Sequence, residues 1–217
     1  MTIINKHTKV SEIVISEPST LTVLNRFGIY LGFGDKTVSD ICNEKNIDTE
    51  FIVSMLNTYI NENYFPEEAL KSYSIKLMFE YFNKTNHYYL RVQLPNIERH
   101  FNSFVERSEQ GNKSLELLRE FFNEVKNELT SRIVIDTQLF GENSEISEKS
   151  IEHLNVETDS IEDKLNDLIN MFVIHLKGNY DTNLCHAVLF SILSLKKDIS
   201  QNNRLRYRIL LPLLKSN

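Results

Sequence analysis

Apolar residues recur along this chain three and four positions apart, the spacing of one face of an α-helix. Three short helices are predicted in SEPSTLTVLNRFGIYLGFGDKTVSDICNEKNIDTEFIVSMLNTYINEN. The first puts Leu21, Leu24 and Phe27 on one face; Ser19 and Thr20 can cap it, and Gly28, Gly32 and Gly34 break it. The second follows Thr37 and carries Val38 and Ile41. The third starts at Asp48 and Thr49 and aligns Phe51, Ile52, Met55, Leu56 and Tyr59. Pro66 then stands where a new helix begins, a position that suits its missing N–H.

Four long amphipathic helices are predicted beyond Pro66. One covers 67–108, with Leu77, Phe82, Leu90, Leu94, Ile97 and Phe101 among its apolar positions and a kink at Pro95. A second covers 113–139, after the turn EQGNKS. The polar GENSEISEKSIEHLNVETD reads as a linker. A third helix covers 157–177, with Gly178 as its C-cap, and a fourth runs from Asp181 and Thr182 to Leu214. The pattern is all-α: a small helical N-terminal domain over 1–66, then a four-helix up-down bundle over 67–217.

Composition narrows the function. Only 6 glycines and 4 prolines occur in 217 residues, too few turn formers for a strand-rich fold. The formal net charge of -6 disfavours broad, nonspecific binding to nucleic acid or to an anionic membrane. There is no apolar run of about eighteen residues, so no membrane span is expected. The opening MTIINKHTKVSEIV lacks the basic-then-apolar order of a signal peptide. Cys42 and Cys185 make neither a disulfide framework nor a zinc pattern, and both are expected to be packing residues. A cytoplasmic protein is expected.

Two local motifs carry little chemistry. GFGD at 32–35 reads as a tight turn, because only Lys36 could support a bound phosphate there. KTVSDICNEKNIDTEFIVSML is helix, turn, helix, but its second helix opens on acidic and apolar residues, so DNA is not expected as a partner. The closing stretch RLRYRILLP alternates basic and apolar residues like a half-wet strand, although everything before it reads as helix.

RFGIYLGFGDKTVSDIC resembles the small N-terminal domain of the iron–sulfur cluster repair family, the regulators of cell morphogenesis and nitric oxide signalling. Gly28, Ile29 and Cys42 match that family's pattern, whereas Gly32 and Phe33 stand where it has a cysteine pair. HYYLRVQLPNI resembles the first helix of its hemerythrin-like bundle, NELTSRIVIDTQLF the second, and ILLP at 209–212 the end of the fourth. The resemblance implies a bundle whose core would hold two irons on histidines and carboxylates from four helices.

Carried across residue by residue, the resemblance places the ligand positions at His87, Arg132, Asp136, Thr158, Asn202 and Arg206. One imidazole and one shortened carboxylate remain, and His100, His153, His175 and His186 fall elsewhere. No metal or other cofactor is therefore expected. The six residues are expected to form a polar core in which Asp136 accepts hydrogen bonds from buried Arg206, from Arg132 or from both, while Arg204 and Arg208, about 200° around the helix, face solvent. The implied function is that of a non-enzymatic, metal-free scaffold or regulatory partner, acting on another protein or on a second copy of itself. An active di-iron repair protein and a transcriptional regulator using the N-terminal domain are the competing readings.

Overall fold

The computed structural model describes residues 3–108, 111–141, 154 and 160–215. The described chain is all-helical, and no strand occurs among these residues. It divides into two compact units. The first holds residues 1–84 and 204–217; the second holds 85–203. Sequence patterning places the domain boundary near 66 instead. The difference has an aromatic cause. Tyr73 and Tyr81 pack on Phe51, with ring centroids 5.1 and 6.0 Å away, and Tyr81 also stacks on Phe27 at 6.1 Å. The segment after Pro66 thereby shares the core of the N-terminal helices.

In the first unit, α1 is Val10–Ser16, a helix that the sequence reading omits. A 3-10 turn at Pro18–Thr20 leads into α2, Leu21–Arg26. Thr20 does not cap α2: its hydroxyl donates to the Glu17 carbonyl at 2.7 Å. Gly28, at φ 67°, closes α2 in a Schellman arrangement, with the Ile29 N–H bonded to the Leu24 carbonyl and the Gly28 N–H to that of Asn25. α3 is Val38–Lys45, opened by a reciprocal capping box between Thr37 and Asp40. α4 is Thr49–Ile60, capped by Asp48 as expected. Buried Asn57 on α4 takes both backbone groups of Ile4, at 2.9 and 2.8 Å, and so fixes the N-terminal segment. α5 is Glu67–Lys71, and α6, Ile75–Tyr88, begins here and ends in the second unit. The predicted helix over 67–108 is thus interrupted between Lys71 and Ile75.

The second unit continues through a π-helical turn at Tyr89–Gln93 into α7, Leu94–Glu106. It then contains α8, Lys113–Leu139, which is about 40 Å long and has the predicted bounds. α9 is Ile161–Asn170, followed by a π turn at Met171–His175. α10 is Thr182–Leu205, whose last two residues belong to the first unit. Helices α7 to α10 share one apolar core. Phe101 stacks on Phe122 at 5.2 Å and meets Phe172 edge-on at 5.8 Å, while Leu129, Ile133, Leu165, Ile192 and Ile199 continue it. Gly178 is not the C-cap of α9: the π turn ends that helix earlier, and Gly178 (φ 91°) lies in the following turn.

Pro95 was expected to kink its helix. The disturbance takes the form of a π turn instead, in which the Leu94 N–H bonds the Tyr89 carbonyl five residues back. The same happens before Pro212: the Leu211 N–H bonds the Arg206 carbonyl across the π turn Arg206–Leu210, and α11, Leu211–Lys215, follows. A proline ring clashes with the carbonyl four residues before it, and widening the preceding turn by one residue relieves that clash.

Candidate functional site

The second unit is apolar along most of its length and polar at one end. On α8 the change comes after Ile133: Asp136 is buried to 2 % exposure, about 21 Å along the axis from Phe122. On α10 it comes at Asp198, and Gln201, Asn202 and Asn203 follow, all buried. On α6 and the π turn after it, Thr85, Asn86 and Gln93 are buried beside apolar Tyr89. Asp136 lies three residues beyond buried Ile133, Gln201 and Asn202 lie three and four beyond Asp198, and Thr85 and Asn86 lie four and three before Tyr89, so the periodicity that buries the apolar stripe carries these polar groups inside.

Two hydrogen-bonded groups tie this polar end together. The Asn86 side-chain amide donates to Asp136 Oδ2 at 3.2 Å, joining α6 to α8. The Arg132 guanidinium donates to Asn203 Oδ1 at 2.7 Å and more weakly to Asn202 Oδ1 at 3.4 Å, joining α8 to α10. Asn203 then donates to Glu162 Oε1 on α9 at 2.7 Å. Arg132 is only half-buried, so its charge keeps contact with water while its fork reaches the amides.

The six positions inferred from the sequence meet different fates. Arg132, Asp136 and Asn202 all lie at the polar end of the second unit. His87 does not: it is exposed, and the inward position belongs to its neighbour Asn86. One residue is a 100° rotation on a helix, and the buried face here runs through Met78, Phe82, Thr85, Asn86 and Tyr89. Thr158 and His153 lie outside the described residues. Arg206 is buried in the first unit, its guanidinium carbon 5.5 Å from the centre of the Phe82 ring. Arg208 is exposed as expected. Arg204 is partly buried rather than solvent-facing, because it and Arg208 both lie over Phe65, at 5.0 and 4.1 Å.

Asn86, Asn203, Asp198 and Gln201 were missed by the sequence reading. The available signal was a polar residue at an otherwise apolar helical position. The donor chemistry does not fit iron. At the described ligand positions stand one exposed imidazole, one buried carboxylate, two guanidinium groups and an amide, and permanent cations repel a divalent metal. Among the described residues, no three His, Cys, Asp or Glu side chains come together in a group that could hold a metal ion.

In the first unit, Gly32 and Phe33 occupy the loop where the resemblance expects thiols, and Phe33 is buried. Cys42 and Cys185 are both buried free cysteines, and burial pushes both thiols up from the usual cysteine range. No described helix is long and apolar enough to cross a membrane. Comparison with protein-family models, with curated proteins and with solved structures finds no match for this chain.

Proposed function

We propose that this protein is a metal-free relative of the iron–sulfur cluster repair family, built on a hemerythrin-like up-down bundle, and that it acts as a scaffold or regulatory partner rather than as an enzyme. The observation that carries this reading is the network around Arg132. A guanidinium, Arg132, and an amide, Asn202, occupy positions where the resemblance asks for histidine ligands, and Arg132 donates to Asn202 and to the adjacent Asn203. A fixed cation bonded to amides takes the place of a bound cation held by carboxylates.

The reading gains support from the chemistry of the remaining groups. Asp136 is met by an amide donor from Asn86, and both cysteines are buried with raised thiol pKa values, which withholds the thiolate that redox or nucleophilic chemistry needs. What such a fold offers a partner is a rigid helical surface. Metal analysis of the purified protein tests the proposal. The expected result is a colourless protein without stoichiometric iron. About two irons per chain, with the absorption of an oxo-bridged pair, would establish the di-iron repair reading in its place.

A further inference from the structure

The outward side of the α9–α10 pair in the second unit is apolar at one height and charged at another. Val173 and Ile174, in the π turn that ends α9, are 67 and 64 % exposed, and Phe190 and Leu193 on α10 are 69 and 39 % exposed. Exposed apolar side chains scattered singly need no explanation, but four on one adjoining pair of helices mark an interaction surface. Contacts inside the unit fix how they are turned. Ser191 meets His100 on α7, and Leu193 lies about 200° around the helix from Ser191, away from α7. Glu162 accepts from Asn203 and so faces α10, and Val173, about three turns further on, returns to that side.

The antiparallel contact of Glu162 with Asn203 also sets the heights. Counted from it, Val173 and Ile174 stand level with the stretch from Phe190 to Leu193, and Asp167 stands level with Lys197. The charges are divided between the helices. Asp163 and Asp167 are exposed on α9, whose one lysine, Lys164, turns to Glu128 on α8. On α10 the fixed charges before buried Asp198 are Lys196 and Lys197. We infer that this face is the interface of a homodimer, in which a second copy lays its α10 on α9 and its α9 on α10 about a twofold axis parallel to the helices. Such an axis keeps height and exchanges the helices. It sets Val173 and Ile174 against the partner's Phe190 and the partner's Leu193, and Asp163 and Asp167 against the partner's Lys196 and the partner's Lys197, each twice by symmetry. Acid on one helix and lysine on the other, at one height, is the division of charge that a self-complementary face requires. The inference rests on this surface alone and is independent of the metal-free reading of the polar end.

Analytical ultracentrifugation of the full chain over a dilution series tests it. The expected result is a reversible monomer–dimer equilibrium that Phe190→Glu weakens about tenfold or more. Asp163→Lys with Asp167→Lys, and separately Lys196→Asp with Lys197→Asp, should each weaken self-association by a similar factor, because each sets like charges across the interface. An equimolar mixture of those two variants should regain the parent's affinity, since acid again meets lysine at both contacts, and a variant that had merely lost its fold would not regain it. Failure of the mixture to associate would overturn the inference, as would a parent chain still monomeric at about 1 mM or a dimer indifferent to Phe190→Glu.

Discussion

Asn86 donates its side-chain amide to Asp136 inside the second unit, at 3.2 Å, while the adjacent His87 stands in solvent. This register fixes which residue of the pair matters for stability. Asn86→Leu removes a donor from a buried carboxylate and should cost about 1–3 kcal/mol, whereas His87→Ala should fall within roughly 0.5 kcal/mol of the parent. Urea denaturation of both variants decides it. A larger loss from the histidine change would mean that α6 is rotated by one residue.

Asn86→Asp makes a sharper test. It sets a second carboxylate against Asp136, and two neighbouring carboxylates resist ionising together, so one folded-state pKa rises. A group whose folded pKa is raised binds its proton more tightly when folded. The variant should therefore be most destabilised at neutral pH and recover as the pH falls toward that raised pKa. Melting temperatures of variant and parent from pH 7 to 4 should converge; parallel curves would contradict the contact.

The bond between Arg132 and Asn203 should register as a coupling of about 0.5–1.5 kcal/mol in a double-mutant cycle with Arg132→Met and Asn203→Leu. The value is modest because Arg132 is only half-buried. Strict additivity would remove this bond from the account of the polar end.

Gly178 faces the residue that caps α8. A Cβ built there would lie 2.4 Å from Asn112 Nδ2, the atom that donates to the Lys177 carbonyl at 2.9 Å, and the backbone sits at φ 91°. Gly178→Ala should cost about 1–3 kcal/mol through strain and displacement of Asn112 together. Asn112→Ala loses the cap together with the bond to the Lys177 carbonyl and should cost about 1–2 kcal/mol. Combining the two should give less than their sum, measurable by chemical denaturation.

Cys42 and Cys185 should react slowly with a bulky disulfide reagent in the native protein and rapidly in denaturant, since burial both shields the thiols and raises their pKa. Rapid native labelling of Cys42 would show that α3 opens easily. On the acid side, hydrogen bonds from Thr37 hold the Asp40 carboxyl below the usual aspartate range. Its stabilising contribution is present above the unfolded aspartate pKa and disappears as pH falls through the folded one. The stability gap between the parent and Asp40→Asn should close over that interval.

Local rules and the sequence determine the helical class, the capping of α3 by Thr37 and of α4 by Asp48, and the bounds of α8. In each case the cause lies within a few residues, as a side-chain acceptor beside orphan N–H groups or an unbroken apolar period. The burial of Cys42 was legible as that of a packing residue, whereas an inward Asp136 was implied only by the family resemblance. Tertiary structure alone decided the rest. Residues 67–84 join the N-terminal helices because Tyr73 and Tyr81 find Phe51 and Phe27, contacts separated by more than twenty positions in sequence. Asn86 rather than His87 faces inward because helix rotation is set by what packs against Met78, Phe82 and Tyr89, and a polar residue one place away reads the same in the sequence. The pairing of Arg132 with Asn203 required α8 and α10 to meet across seventy residues, and a periodic pattern names the buried face of a helix without naming the helix that covers it.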